Sequence, residues 1–169
     1  MSALPATAAR AQEGVAPSSG VTVRVARTAE DIAARVALAR RAFEELNDGL
    51  PYDEDMVRRT FERRLKRSDR CLLQAELGGR VIGGAAGAIA PHYHSPALGA
   101  TLEGYYVLPE HRGSLAAVKL LHGFRRWART NGAVRMYVGV NSGIDIARTD
   151  RFLKRLGFRM TGGNYELAL

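Results

Sequence analysis

Cysteine is almost absent from this chain: its 169 residues include a single one, Cys71, which excludes an internal disulfide. The residue lies in Cys71-Leu72-Leu73, a run that is typical of a buried strand. No helix start or basic cluster beside it would activate a thiol, so we interpret Cys71 as a small core residue. The low cysteine count also fits a reducing, cytoplasmic compartment.

Long apolar runs are missing as well. The most apolar stretch, residues 81–90, is rich in glycine and falls well short of the roughly 20 residues that span a bilayer. The length, with hydrophobic and charged fractions of 46% and 25%, is that of one soluble globular domain. Residues 1–20 are rich in Ala, Pro, Ser and Gly without periodicity, which predicts a disordered tail before a domain at 21–169.

Acidic residues are in deficit: 17 Asp and Glu stand against 25 Lys and Arg, for a formal net charge of +8. A basic surface can attract nucleic acid or another polyanion. The chain lacks the aromatic interleaving of single-strand nucleic-acid platforms, so nucleic acid is a disfavoured partner. The pairs Arg58-Arg59, Arg63-Arg64 and Arg125-Arg126 lie on apparent helix faces, which we interpret as solvated surface.

Metal ligands are also too few. His92 and His94 flank Tyr93, but two ligands without a clear carboxylate or cysteine partner do not make a zinc site. We therefore expect no bound metal.

Hydrophobic periodicity and turn residues predict the order strand, helix, helix, hairpin, strand, helix, strand, helix, strand. Thr28 and Asp31 have the spacing of a capping box, Asp53 is placed to cap the second helix, and Gly78-Gly79 is a hairpin turn signal. A strand–helix–strand crossover adds one parallel pair to a largely antiparallel sheet. The predicted fold class is α/β (α+β), with a mixed sheet of about six to seven strands flanked by about four helices.

Three local expectations concern this sheet. Gly83, Gly84 and Gly87 lie inside one predicted strand, where glycine indicates a bulge or a close backbone approach. Residues 91–99 predict a loop before a strand at 100–108, and residues 158–169 predict terminal strand material.

The segment from Glu103 to Ala117 is the most informative part of the chain. A strand runs into the turn Pro109-Glu110-His111-Arg112-Gly113, and Ser114 then opens a helix. Backbone N–H groups at a helix start are unpaired and carry the positive end of the helix dipole, so they can receive a pyrophosphate. From the residues alone, the segment is either such an anion site or a plain strand–turn–helix junction.

This segment resembles the coenzyme-binding motif of GNAT acetyltransferases, Val-x-Pro-x-x-Arg-Gly-x-Gly-x-Gly/Ala. Val107, Pro109, Arg112, Gly113 and Ala117 match it. Further similarities to the family are Trp127-Ala128-Arg129-x-x-Gly132-Ala133, Leu153-Lys-Arg-Leu-Gly-Phe158 and Asn141. The resemblance covers residues 21–169, is strongest from Glu103 onward, and extends to a subgroup common among phage and bacterial members.

The resemblance implies a GNAT fold that uses acetyl-coenzyme A as its cofactor. The backbone of Tyr105, Tyr106 and Val107 would pair with the pantetheine arm, and the Val107 N–H would polarise the thioester carbonyl. Asn141 would contact the pantetheine. The pyrophosphate would lie among the N–H groups of Arg112, Gly113, Ser114, Leu115, Ala116 and Ala117.

The chain departs from the family pattern at two positions. Leu115 replaces the middle glycine of the phosphate loop, which puts the close approach of the backbone in doubt. Leu153 replaces the usual tyrosine that protonates the departing thiolate, and leucine cannot donate a proton. Tyr165, another group or water would take that role, or the thiolate would leave unaided.

A primary amine has a pKa of about 10 and must lose a proton before it attacks a thioester. Glu103 is the candidate general base, because alternation along a strand places it on one face with Tyr105 and Val107; the alternative is an orienting or ion-pairing role. Tyr52, His92 and His94 are candidate acceptor-binding residues.

The sequence thus predicts an N-acetyltransferase acting on a primary amine of a small molecule or peptide. The alternative is a non-catalytic GNAT-fold module that binds coenzyme A or an acidic partner. Leu115 and Leu153 favour this alternative. A nucleic-acid-binding protein is a third hypothesis, supported by charge alone. The acceptor stays open because one fold serves many substrates. The oligomeric state stays open too, a homodimer being common in the family.

Overall fold

The computed structural model describes residues 20–46, 49–140, 142, 144–165 and 167. The predicted disordered tail, apart from Gly20, lies outside these residues, as does Asn141. The secondary structure in chain order is β1 (Thr22–Val25), α1 (Ala29–Leu46), α2 (Glu54–Leu65), β2 (Arg70–Leu77), β3 (Arg80–His92), β4 (Ser95–Val107), a 3-10 turn (Pro109–His111), α3 (Ala116–Thr130), β5 (Ala133–Val138) and α4 (Ile146–Arg155).

The strands form one sheet in the order β1-β2-β3-β4-β5. The first four are antiparallel neighbours, and β5 lies parallel to β4 because α3 carries the chain back across the sheet. The α/β class, the mixed sheet and the four helices are therefore as predicted. None of the described helices is both long and apolar enough to cross a membrane.

The sheet has five strands in the described part of the chain, so the prediction of six to seven is wrong. Residues 158–165 form no strand there, and nearly all of them are exposed. The physical reason lies in Gly162 and Gly163, which lose much entropy on ordering and offer no side chain to bury in return.

The predicted loop at 91–99 is also wrong, because β3 and β4 continue through it and leave only Tyr93 and His94 as the turn. A proline inside a strand normally removes a hydrogen bond from the sheet. Pro91, however, lies beyond Ala88, the last residue of β3 that pairs with β2, and at such an edge a proline removes no hydrogen bond from the sheet.

The core is divided between the two faces of the sheet. One face is covered by α3, which buries Leu120, Leu121, Phe124 and Ala128 in a cluster that also contains Cys71, as predicted for that residue. Burial raises the pKa of the Cys71 thiol to about 12. The other face is covered by α1 and α2, whose smaller cluster centres on Ile32, Val36, Leu72 and Ala86.

The glycines of β3 confirm the prediction of close approach. A Cβ atom on Gly87 would lie 2.3 Å from the ring of Phe124, and one on Gly84 would lie 1.2 Å from the guanidinium of Arg35. Phe124 and Arg35 therefore contact the backbone of β3 directly, at positions where any other residue would place a Cβ atom.

The predicted cap of α1 is present and anchors that helix to the sheet. Asp31 N–H donates to Thr28 Oγ1 at 3.2 Å, and Thr28 N–H donates back to Asp31 Oδ2 at 3.1 Å. The same carboxylate pairs with Arg24 of β1, at 2.5 Å, and accepts from buried Gln74 of β2. The predicted cap of α2 is present too, since Asp53 accepts from the Met56 N–H at 2.8 Å.

Candidate active site

A bulge in β4 shapes the site. Leu102 pairs with Gly87 of β3 and Gly104 with Ala86, so Glu103 is an extra residue without a partner on β3. The bulge shifts the alternation of side chains, which places Glu103 and Tyr105 on opposite faces. Tyr105 and Val107 pack in the cluster beneath α3, whereas Glu103 forms an ion pair with Arg64 of α2. The prediction that Glu103 shares a face with Tyr105 and Val107 is therefore wrong.

Beyond the bulge, no described strand pairs with one edge of β4. Pairing with β5 ends at Leu102 and Val138, whereas β3 accompanies β4 as far as Val107. Leu108 N–H donates to Ile82 O of β3 at 3.0 Å, so alternation turns the N–H groups of Val107 and Tyr105 toward the other edge, where β5 has ended. An extended ligand could add to the sheet there as a further strand.

The free edge leads directly into a loop with unpaired donors. The chain passes through the 3-10 turn to Gly113, which has a φ of 90° that favours glycine, and α3 then begins at Ala116. Ser114 is not the first helical residue, but its Oγ accepts from the Ala116 N–H at 3.2 Å. Among the described residues, no hydrogen bond takes up the N–H groups of Gly113, Leu115, Ala117 and Val118.

Leu115 fits this loop without strain. Its φ of −74° and ψ of −1° are ordinary right-handed helical values that any residue adopts, and its side chain is exposed. Leucine in place of the family's middle glycine therefore does not strain the backbone at position 115.

Arg112 connects this loop to α1. Its Nη1 and Nη2 donate to the two carboxylate oxygens of Glu45, at 2.8 and 2.6 Å, and its Nε donates to Val107 O at 3.1 Å. The Tyr106 hydroxyl also donates to Glu45, at 2.9 Å. The Arg112 guanidinium, with desolvation opposing it, holds the pKa of Glu45 below its usual value, whereas burial and then Glu45 raise the pKa of Tyr106 to about 12.

Comparison with known proteins decides the family. The model of the acetyltransferase (GNAT) family matches residues 24–158, which is most of the chain. The chain belongs to the GNAT acetyltransferase family. No curated protein matches it.

Solved structures share the GNAT fold at low sequence identity. AAC(6')-Iy in complex with the bisubstrate analog CoA-S-monomethyl-acetylneamine is 21% identical, with a TM-score of 0.73 over 88% of this chain and 97% of that one. An aminoglycoside acetyltransferase from an uncultured soil metagenomic sample is 18% identical, with a TM-score of 0.70 over 88% and 98%. Ribosomal-protein-alanine N-acetyltransferase from Brucella melitensis biovar Abortus 2308 is 15% identical, with a TM-score of 0.68 over 88% and 99%.

The predicted acceptor-binding residues of this GNAT protein are not gathered around Glu103. The Tyr52 hydroxyl donates to Val36 O at 3.3 Å, which ties it to α1. His92 rests on Gly99, which lies four residues, or about 13 Å, along β4 from Glu103. His94 lies at the exposed turn of the hairpin.

Leu153 occupies the position of the family's usual tyrosine, and Tyr165 is a candidate for its role as proton donor. Leu153 lies in the apolar cluster beneath α3 and α4, where it offers no proton. Tyr165 is fully exposed.

Three charged residues of the site carried no recognisable signal in the sequence. Arg64 was predicted as solvated surface, but its side chain is only 17% exposed and holds Glu103. Arg35 is buried beneath α1, which lowers its pKa to about 10, and its Nε has no hydrogen-bond partner among the described residues. Glu45 pairs with a residue 67 positions away, a contact that only the tertiary fold creates.

Loss of the Glu45 charge should loosen the loop. In Glu45→Gln, we expect amide hydrogens in residues 108–114 to exchange about fivefold faster, because the amide weakens a bidentate, charge-assisted pair that fastens the loop to α1. Hydrogen–deuterium exchange with mass spectrometry measures this. Glu44→Gln, an exposed neighbour, is the matched control, and equal exchange in both variants would mean that the ion pair does not hold the loop.

Proposed function

We propose that this protein is an N-acetyltransferase that transfers an acetyl group from acetyl-coenzyme A to a primary amine by direct attack on the thioester. The observation that carries the proposal is the free edge of β4 at Tyr105 and Val107, which continues without a break into the unpaired N–H groups of the loop before α3. An extended arm with a pyrophosphate at one end has the shape and chemistry that this track would bind.

The chain's own groups fit the coenzyme in two parts. The N–H groups of Tyr105 and Val107 would hold the extended arm and polarise the thioester carbonyl. The N–H groups of Gly113, Leu115 and Ala117 would bind the pyrophosphate with the support of the α3 dipole. The coenzyme supplies the acetyl group in activated form, and AAC(6')-Iy, which shares the fold, has been solved in complex with CoA.

Arg112 has an indirect part in this binding. Its guanidinium is engaged by Glu45 and by Val107 O, so it would fix the loop and the end of β4 rather than reach for the phosphates. Arg112 thus occupies the Val107 carbonyl on the open edge, whereas no hydrogen bond among the described residues takes up the N–H of Val107, which is left for a ligand.

Glu103 is the group that we propose for deprotonating the amine. The bulge presents its carboxylate on the face covered by α1 and α2, and Arg64 holds it in place. The amine would therefore approach the thioester from this face and give its proton to Glu103, directly or through water.

The proposed acceptor is a primary amine of a small molecule or a peptide. The similar structures include aminoglycoside acetyltransferases and a ribosomal-protein-alanine N-acetyltransferase, which suggests both classes for testing. A coenzyme-binding module without catalysis is the second candidate, favoured by Leu153 in place of a proton donor.

Thermal unfolding with acetyl-coenzyme A tests the coenzyme site. At about a hundred times its dissociation constant, the ligand should add roughly 2.7 kcal/mol of stability, which raises the Tm by a few degrees. ATP is the control for a merely polyanion-binding surface. A shift of equal size with ATP, or none with millimolar acetyl-coenzyme A, would contradict the proposal.

Glu103→Gln tests catalysis separately from binding. Across a panel of amines, with thiol release as the readout, we expect kcat/KM to fall about a hundredfold because the amide cannot accept the amine's proton. Coenzyme affinity should stay unchanged, and Glu62→Gln on the surface of α2 serves as the charge-matched control. Full activity in Glu103→Gln would remove Glu103 from the mechanism, and an inactive wild type that binds the coenzyme would favour the non-catalytic module.

A further inference from the structure

The hydroxyl of Tyr105 is buried without a hydrogen-bond partner among the described residues. Its surroundings are apolar: the side chain packs in the cluster beneath α3 and α4, which includes Trp127, Phe152 and Leu153. A phenol normally finds a partner when it is buried, because an unmet donor costs free energy. This hydroxyl is therefore a donor that the described part of the chain leaves unused.

Its place on β4 relates the unused donor to the candidate active site. Tyr105 follows the bulge directly, and its own N–H faces the edge that β5 leaves free. Its side chain points to the opposite face from Glu103. A thioester bound along this edge would thus have the carboxylate on one side of the strand and the phenol on the other.

Acetyl transfer is assisted by a group that donates a hydrogen bond to the departing coenzyme sulfur. As the amine nitrogen bonds to the acetyl carbon, the carbon–sulfur bond breaks and its electron pair passes to the sulfur. A thiol has a pKa of about 8.5, so this charge is tolerable in water but costly in an apolar surrounding. A hydrogen bond from a nearby hydroxyl would lower that cost.

The other described tyrosines are not available for this role. The hydroxyls of Tyr52 and Tyr106 donate to Val36 O and to Glu45. The rings of Tyr137 and His92 meet edge to face, on the face of the sheet opposite to the Tyr105 side chain. Tyr93 and Tyr165 are exposed.

We propose that the Tyr105 hydroxyl donates a hydrogen bond to the coenzyme sulfur and stabilises the thiolate as it leaves. The inference rests on the proposed function. The amine's proton goes to Glu103 or to water, and the coenzyme departs as a thiolate that takes a proton from solvent. Burial raises the pKa of Tyr105, so the hydroxyl keeps its proton at neutral pH and acts as a donor there.

Tyr105→Phe removes the hydroxyl and keeps the ring. The first readout needs no ligand: because the hydroxyl is unpaired in the free protein, the variant should unfold at the same temperature as the wild type or at a higher one. Unfolding at a clearly lower temperature would show that the hydroxyl has a structural partner, and would overturn the inference.

The second readout is binding of coenzyme A against desulfo-coenzyme A, in which hydrogen replaces the thiol. At about pH 9.5 the thiol is mostly ionised, and the wild type should bind coenzyme A about tenfold more tightly than the analogue. Calorimetric titration should find this preference lost in Tyr105→Phe and kept in Tyr137→Phe. In turnover, Tyr105→Phe should lower kcat about tenfold and leave the KM for acetyl-coenzyme A unchanged.

The possible failures can be told apart. A wild type that binds neither coenzyme A nor its desulfo analogue would overturn the proposed function and this inference with it. A wild type that binds both equally, or a Tyr105→Phe variant that keeps the preference for the thiol, would overturn the role of Tyr105 and leave the coenzyme site standing.

Discussion

The candidate site depends on an interruption in the sheet: among the residues that the structure describes, β4 has no neighbour on one side after Leu102, while β3 continues to pair with it on the other. An unpaired strand edge is usually a liability, because it invites other chains to add to the sheet. Here the free edge is short and runs directly into the loop before α3. The bulge at Glu103 completes the arrangement, since it places a carboxylate and a phenol on opposite faces of the strand on either side of the same edge.

Two arginines near the candidate site are engaged in ion pairs within the protein. A net charge of +8 is compatible with a surface that collects polyanions. Near the site, however, Arg112 is engaged by Glu45 and Arg64 by Glu103, so these arginines hold elements together. In the proposed function, recognition of the anion would be left to backbone N–H groups and the dipole of α3, which provide direction as well as charge.

Local sequence signals predicted the elements well, because caps and tight turns depend on a few neighbouring residues. Thr28, Asp53 and Gly78 act as expected. The extent of the sheet was harder to predict, since Pro91 resembles a strand breaker until its position at an edge is known. Contacts across long separations, such as Glu45 with Arg112, leave no pattern in the sequence.

The bulge in β4 could not be predicted from the sequence. Strict alternation placed Glu103, Tyr105 and Val107 on one face, and one extra residue was enough to reverse that relation. The segment around Arg112 and Gly113 predicted the turn between β4 and α3, because its residues follow one another in the chain. The roles proposed for Glu103 and Tyr105 on the two sides of the thioester depend on the register of β3 against β4, which the sequence does not give.

Amide exchange at Tyr105 and Val107, measured by NMR with and without acetyl-coenzyme A, tests the central claim most directly. If the coenzyme adds to the free edge of β4, both amides should become protected when it binds, while the Leu108 amide, already bonded to Ile82, changes little. Saturating binding that leaves Tyr105 and Val107 unprotected would place the coenzyme elsewhere and contradict the account.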